Sequence, residues 1–124
     1  MSNDLEAIKA TANTYLDGLY EGDADKLTSA FHPTSSLTYE ENRALVSPPR
    51  DKWLDAVRNR PSAKSRGLPR HDEIEAIDQN SPTTAFAKLK CQIPPRYFTD
   101  YLCFLKVKGK WQIVQKVFAT EYRS

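Results

Sequence analysis

Apolar residues in the first part of the chain recur every three or four positions, the spacing of one buried helix face. The residues on this predicted face are Leu5, Ile8, Ala12, Tyr15, Leu16 and Leu19. Asn3 is a suitable N-cap, with Glu6 three residues later. Gly22 is expected to end this helix, and Asp23 to begin a shorter one that stops at His32-Pro33. The apolar residues of the second helix are Leu27, Ala30 and Phe31.

The rest of the chain predicts mostly strands. Short strands are expected at 36–39 and 44–46, and a third helix after Ser47-Pro48-Pro49, since proline suits a first helical turn. Longer strands are expected at about 71–79, 83–93, 97–107 and 110–119. Helices separated from a run of antiparallel strands indicate an α+β fold, a curved antiparallel sheet around the N-terminal helices. No repeat or composition shift divides residues 1–124, so one domain is expected.

Asp100 is an acid in the middle of the most apolar strand of the chain. A type I turn over Val107-Lys108, with Gly109 in the left-handed position, would pair 102 with 114 and 100 with 116. Asp100 would then face Lys116 as a partly buried ion pair. The alternative is an uncharged carboxylic acid that an apolar site keeps protonated, so that it can donate a hydrogen bond.

Composition narrows the function classes. The net charge of +2, from 18 basic and 16 acidic residues, is too balanced to indicate nucleic-acid binding. The basic stretch from Arg58 to Arg70 lacks interleaved aromatic residues and is interpreted as a mobile, solvated loop, a candidate lid. Neither a signal peptide nor an apolar run of the roughly 20 residues that span a bilayer is recognised, so a cytoplasmic protein without membrane contact is expected.

The cysteines and histidines give no metal or cofactor signal. A hairpin turn at Pro94-Pro95-Arg96 would place Cys91 opposite Thr99 and Cys103 opposite Ala87, so the two thiols would not pair. Both are expected to be reduced, as in a cytosolic protein. His32 and His71 are far apart and have no cysteines at ligand spacing, so no metal site and no cofactor are expected.

Two segments carry a resemblance to a known family: YLDGLYEGDADKLTSAFHP at 15–33 and FTDYLCFLKVKGKWQIVQKVF at 98–118. The order of elements and these segments resemble the nuclear transport factor two-like superfamily, and within it the lumazine-binding branch, close to SnoaL-like proteins. The resemblance covers nearly the whole chain and implies a cone of curved sheet and helices with an internal pocket.

Ketosteroid isomerase has the same fold, and the resemblance extends to two of its site positions. Tyr15 is similar to that enzyme's oxyanion-hole tyrosine, and Asp100 to its protonated aspartic acid. The position that resembles its catalytic base is Tyr39, and a phenol is a poor base at neutral pH. His32 is a substitute base only if it faces inward. The isomerase chemistry is therefore not carried over by the resemblance.

Three hypotheses follow. The leading one is a domain that binds a small organic molecule in an apolar pocket near Tyr15, Tyr39, Trp53, Asp100 and Lys116. It is expected to form a homodimer through the sheet, because the last two strands are apolar on both faces. The second is an isomerase or cyclase acting on an enolisable carbonyl, with Tyr15 and Asp100 stabilising the oxyanion and His32 as candidate base. The third is a non-catalytic structural or interaction domain.

Overall fold

The computed structural model describes residues 4–123. The helices are α1 (Asp4–Glu21), α2 (Ala24–Ala30) and α3 (Arg50–Arg58). The strands are β1 (Phe31–Glu41), β2 (Ala44–Val46), β3 (Glu73–Ser81), β4 (Thr84–Ile93), β5 (Arg96–Val107) and β6 (Lys110–Tyr122). This is the predicted α+β order. Among the described residues, no helix is long and apolar enough to span a membrane.

The six strands form one curved, unclosed sheet in the order β2-β1-β6-β5-β4-β3. Four neighbouring pairs are antiparallel, but β1 runs parallel to β6, so the expected all-antiparallel sheet is wrong at this pair. β1 also begins five residues earlier than expected. Phe31, expected on the second helix, is the first residue of β1 and pairs with Ile113.

Residues at the helix ends explain where the helices begin and end. Gly22, with φ of 67°, follows α1 directly. The Asp23 carboxylate caps α2 by accepting from the backbone N–H groups of Asp25 and Lys26 at 3.0 and 3.1 Å. Pro49 is the N-cap residue of α3. The predicted N-cap Asn3 lies outside the described residues.

The core lies between the helices and one face of the sheet. α1 contacts β4 and β6, whereas α2 and α3 contact β1. The predicted face of α1 is buried at Ile8, Ala12, Tyr15, Leu16 and Leu19, but Leu5 is exposed. The sheet contributes alternate residues of β4 and β5, as the period-two pattern requires: Ala85, Ala87, Leu89, Cys91, Ile93, Leu102 and Phe104.

The segment between α3 and β3 is packed against α1, in contrast to the expected mobile loop. Lys64 donates its backbone N–H to the Tyr20 carbonyl at 3.0 Å. The Tyr20 hydroxyl donates to the Leu68 carbonyl at 2.8 Å. Ala63 is buried in the core. These contacts fix the segment beside α1.

The β5–β6 hairpin differs from its predicted register. Val107 pairs with Lys110, so the turn has two residues, Lys108 and Gly109, and both have positive φ, at 52° and 79°. This is the left-handed geometry of a type I′ turn, which lysine was expected to avoid. The pairing then shifts at a bulge between Phe104 and Cys103, so that Leu102 faces Lys116 and Asp100 faces Phe118. The predicted pairs of 102 with 114 and 100 with 116 are wrong.

The β4–β5 hairpin is also shifted by one residue. Ile93 pairs with Arg96, because the turn consists of Pro94 and Pro95 alone. Cys91 therefore faces Phe98, and Cys103 faces Phe86, in place of the expected Thr99 and Ala87. The conclusion that the cysteines do not pair is unaffected: each is a free thiol, Cys91 buried and Cys103 exposed.

Candidate functional site

Three buried polar side chains are linked in a row beneath the sheet. Lys116 Nζ donates to the Tyr15 hydroxyl at 2.8 Å, and that hydroxyl donates to Asp100 Oδ2 at 2.5 Å. Lys116 Nζ is also 3.9 Å from Asp100 Oδ2. Tyr15 and Asp100 are fully buried, and Lys116 is 4% exposed. We call these three residues the relay.

The fold brings the relay together from three elements. Tyr15 lies on the buried face of α1, Asp100 on the inner face of β5, and Lys116 on the inner face of β6. Lys116 faces inward only because of the β6 bulge. Without that extra residue the pairing from the turn would place Lys116 opposite Tyr101, whose side chain lies on the outer face.

The donors and acceptors of the relay have a fixed direction. An ammonium group can only donate, so the Tyr15 oxygen accepts from Lys116 and its proton goes to Asp100. The 2.5 Å distance from Tyr15 to Asp100 is in the range of an O–H donor to an ionised carboxylate. Burial and the neighbouring Asp100 raise the pKa of Tyr15 well above its ordinary value of 10.0. Tyr15 therefore retains its proton and acts as a donor.

Asp100 has one further neighbour and one unused oxygen. Cys91 Sγ donates to Asp100 Oδ2 at 3.6 Å, whereas Oδ1 is buried with no hydrogen-bond partner among the described residues. Burial, and after it the Asp100 charge, raise the pKa of the Cys91 thiol far above its ordinary value of 9.0. Cys91 is therefore a neutral thiol at neutral pH, and it supports the carboxylate as a donor.

A cavity of about 570 Å³ lies beside the relay. Its wall combines residues of α3, β1, β5 and β6 with the end of β4. The lining includes Leu19, Leu37, Tyr39, Pro48, Trp53, Ala56, Ile93, Phe98, Phe118 and Ala119, and the charged residues Glu40, Glu41, Lys52, Arg60, Arg96 and Lys116. Lys116 is the member of the relay that lines this cavity. Tyr15 and Asp100 lie behind it.

Aromatic rings surround the Lys116 ammonium group. Nζ lies 4.4 Å from the ring centroid of Phe118, 5.0 Å from that of Tyr15 and 5.4 Å from that of Trp53. Such contacts stabilise a partly desolvated cation by roughly 0.5–2 kcal/mol each. The Tyr39 ring packs on Phe118 at a centroid distance of 5.0 Å and extends the aromatic wall. This part of the cavity wall thus holds the Lys116 charge among aromatic rings.

The sequence-predicted site residues divide into three groups. Tyr39, Trp53 and Lys116 line the cavity. Tyr15 and Asp100 are joined to each other and to Lys116 but do not line it. His32 belongs to neither: its Nδ1 is 2.8 Å from Thr34 Oγ1 and accepts from the Thr34 N–H at 3.1 Å, on an exposed surface. No inward-facing base is therefore placed at His32.

Sequence reasoning missed Phe118, Arg60 and Arg96 as cavity residues. Phe118 follows Lys116 by two positions on β6, so strand alternation alone places both on one face. Arg60 and Arg96 lack such a signal, because one follows α3 and the other begins β5, 36 positions apart in the chain. Only the tertiary fold brings them to the same cavity.

Comparison with known proteins gives one family and several related folds. The model of the family described as "Putative lumazine-binding" matches residues 3–119. A curated relative from a Cladobotryum species, named aldolase FrzH, is 27% identical over 119 residues, which cover 94% of this chain and 91% of that protein.

Two solved structures illustrate the fold relationship. An NTF2-like protein from Shewanella baltica superposes with a TM-score of 0.85 at 26% identity, covering 98% of this chain and 96% of the other. A ketosteroid isomerase-like protein from Erwinia carotovora superposes with a TM-score of 0.77 at 15% identity, covering 99% of this chain and all of the other. The predicted nuclear transport factor two-like fold is confirmed.

Proposed function

This chain belongs to the family described as "Putative lumazine-binding", and from that membership and the cavity at Lys116 we propose that it binds a small organic molecule. One observation carries the proposal: a cavity of about 570 Å³ has aromatic walls and a single buried ammonium group. Ligand sites in proteins typically measure about 300–1,000 Å³ and combine apolar walls with few polar anchors. A purely structural domain is expected to have a filled interior, so the cavity supports ligand binding over that alternative.

Lys116 supplies the polar anchor. Its ammonium group has three donors, and among the described residues only the Tyr15 hydroxyl accepts one of them. The remaining donors can bind a carbonyl, ring nitrogen or other acceptor of a ligand whose flat face packs on Trp53 and Phe118. Tyr15 and Asp100 act from behind by holding the ammonium group in place. The ligand class proposed is therefore a planar, mostly apolar molecule with at least one acceptor atom.

The experiment is a binding screen read by protein NMR, with bicyclic heteroaromatic compounds, lumazine among them, as probes. Ala56 is an exposed residue of α3 that lines the cavity, so Ala56→Trp places a large side chain at the cavity wall without removing a polar contact. Ala10→Trp, at an exposed position of α1, is the matched control. We expect binders to shift the resonances of cavity residues in the wild type and in Ala10→Trp, and binding to weaken at least tenfold in Ala56→Trp. Binding that survives Ala56→Trp unchanged would contradict the proposal.

A second candidate function is carbon–carbon chemistry at an enolisable carbonyl. It is favoured by the relay, in which a cation at the cavity wall could stabilise an enolate oxygen, and by the relative named aldolase FrzH. The form expected from sequence changes in two respects. Lys116 would contact the oxyanion, since the Tyr15 proton is already donated to Asp100, and His32 is not the base, because it lies on an exposed surface. Glu40 and Glu41 are the carboxylates in the cavity wall and the candidate bases.

This candidate is tested by proton exchange at carbon. Enolisable ketones and aldehydes are incubated with the protein in D₂O, and the loss of the α-proton signal is followed by NMR. Enolisation requires exchange faster than in buffer, with the rate falling at least 100-fold in Lys116→Met. Exchange at the buffer rate with a compound that demonstrably occupies the cavity would leave binding as the function.

Two further proposals concern assembly and compartment. Tyr101, Leu105 and Val117 lie on the outer face of the sheet with 45, 39 and 45% of their surface exposed, which supports a homodimer through this face. Sedimentation equilibrium of the wild type and of Val117→Lys tests it: a dimer that dissociates in the variant is expected.

The free thiols of Cys91 and Cys103 support a reducing, cytoplasmic compartment.

A further inference from the structure

Resting on the proposed function, we infer that the ligand carries an oxyanion group, a carboxylate or a phosphate, which binds between Arg60 and Arg96 at the end of the cavity. Both arginines line the 570 Å³ cavity. They also line a second cavity of about 250 Å³, which shares Leu19 and Ile93 with the first. The two arginines therefore lie where the two cavities meet.

The walls of the smaller cavity are positively charged. They contain three arginines, Arg60, Arg66 and Arg96, together with Ser62 and apolar residues, and no aspartate or glutamate. A concave surface with charges of one sign concentrates the potential, because its low-dielectric walls keep field lines in the cleft. Guanidinium groups match carboxylate and phosphate oxygens in planar, two-point hydrogen bonding. The chemistry of the walls thus selects an oxyanion.

Arg60 and Arg96 make no ion pair or side-chain hydrogen bond within residues 4–123. By contrast, Arg50, Arg58, Arg70 and Arg123 each form an ion pair with a carboxylate. Arg96 is oriented by an aromatic contact, its guanidinium carbon lying 5.7 Å from the ring centroid of Phe98. Phe98 itself lines the larger cavity. The donors of both arginines are therefore available to a bound anion.

The two arginines also destabilise each other. Burial lowers the pKa of Arg60 from its ordinary value of 12.5, and the Arg96 charge lowers it further. Arginine nevertheless stays protonated at neutral pH, so the two side chains carry like charges, and neither forms an ion pair within residues 4–123. An anion between them would remove this repulsion and would be bound more tightly for that reason. A bound anion would supply the negative charge with which Arg60 and Arg96 form no ion pair in the protein itself.

The experiment compares an acid with its neutral isostere. The probes are 2-naphthoate and 2-naphthamide, which share the ring system and differ in charge, together with inorganic phosphate alone. Affinities are measured by titration calorimetry, and sites by the NMR shifts of the arginine side-chain N–H groups. Arg60→Gln and Arg96→Gln are made singly and together. Arg58→Gln, two residues from Arg60 and paired with Asp55, is the matched control.

The inference predicts that 2-naphthoate binds at least tenfold more tightly than 2-naphthamide. The double variant should abolish this preference, and Arg58→Gln should retain it. Phosphate binding that depends on Arg60 and Arg96 supports the anion site even if neither naphthalene compound binds. Equal affinities for acid and amide, without arginine-dependent binding of phosphate, would overturn the inference and leave the proposed function standing. Absence of an arginine-dependent response to all three probes would overturn the inference outright.

Discussion

The Tyr15 hydroxyl donates to Asp100 Oδ2 across 2.5 Å, and the two residues are 85 positions apart in the chain. This contact ties α1 to β5 inside the core, where both side chains are fully buried. An ionised carboxylate in such a place needs donors, since its desolvation costs several kcal/mol without them. Tyr15 provides the shortest of these bonds and Lys116 the compensating charge. The relay is therefore a structural support of the core, and its member Lys116 lines the candidate site.

Removing the Tyr15 hydroxyl should show how strongly the buried Asp100 carboxylate depends on this donor. Tyr15→Phe leaves Asp100 Oδ2 without its strongest donor and Lys116 without its acceptor, while the ring packing stays. We expect the free energy of unfolding to fall by about 1–3 kcal/mol, the cost of leaving a buried polar group unsatisfied. Urea denaturation at pH 7 measures it.

Tyr20→Phe is the matched control for Tyr15→Phe. Tyr20 is half-buried, and its hydroxyl donates to the neutral Leu68 carbonyl at 2.8 Å. That hydrogen bond is worth about 0.5–1.5 kcal/mol, and water can replace part of it. Equal losses in the two variants would mean that the Tyr15 bond is an ordinary one.

A double-mutant cycle between Asp100 and Lys116 should reveal strong coupling. Asp100→Asn leaves a buried ammonium group uncompensated, and breaking a buried ion pair costs about 3–5 kcal/mol. Lys116→Met leaves the carboxylate uncompensated in the same way. The double variant removes both charges, so its loss of stability should be smaller than the sum of the single losses by about 1–3 kcal/mol.

The ion pair of Lys26 and Glu21 is the comparison for that cycle. Its distance of 2.7 Å is shorter than the 3.9 Å between Lys116 and Asp100, but its side chains are 41 and 28% exposed. Exposed pairs are screened by water and typically couple by only about 0.2–1 kcal/mol. A larger coupling at Lys26–Glu21 than at Lys116–Asp100 would contradict the buried relay.

The relay also indicates how far the sequence could predict the site. The type I turn expected at Gly109 predicted that Asp100 and Lys116 lie on one face of the β5–β6 hairpin, and they are on one face. The predicted route was wrong: a single bulge at Gly109 was expected, whereas the chain has a two-residue turn and a bulge beside Val114. The turn shifts the pairing by one residue, and the later bulge shifts it by one more. Because side chains alternate between the faces of a strand, the two shifts together return Lys116 to the face that carries Asp100.

Two kinds of information were missing from the sequence. A bulge in a run such as Ile113-Val114-Gln115 has no glycine to mark it, because the extra residue is accommodated by strand twist and by packing against neighbours. The approach of Arg60 to Arg96 depends on how α3 and the β4–β5 turn pack, and no periodic pattern records it. By contrast, the face of α1 that carries Tyr15 was predictable, because helical periodicity alone fixes it.

The turn between β5 and β6 can be improved. Lys108 occupies the left-handed region at φ of 52°, where lysine is strained and asparagine is well tolerated. Lys108→Asn creates the Asn-Gly pair that type I′ turns prefer. We expect the free energy of unfolding to rise by about 0.5–1 kcal/mol, measured by urea denaturation. Lys110→Asn removes the same charge from an extended strand position and should not stabilise. A loss of stability in Lys108→Asn would argue against the type I′ turn.

Ionisation of Asp4 should make the free energy of unfolding depend on pH in the acidic range. Its carboxylate accepts from Trp111 Nε1 at 3.1 Å, Gln79 Nε2 at 3.1 Å and Lys106 Nζ at 3.2 Å, which joins α1 to β3, β5 and β6. These bonds, that from Trp111 foremost, lower the pKa of Asp4 from its ordinary value of 3.8. The unfolded chain then binds the proton more readily than the folded one.

The sign of the pH effect follows from that difference. The stabilisation from Asp4 is fully present above its unfolded pKa and is lost as the pH falls through the lower pKa of the folded state. Asp4→Asn should therefore be less stable than the wild type at pH 7, and the difference should shrink below about pH 4. Urea denaturation at a series of pH values measures both. Asp78→Asn, at an exposed position of β3, removes the same charge and should follow the wild-type profile. A constant difference between Asp4→Asn and the wild type across that range would show that the three hydrogen bonds do not favour the ionised form.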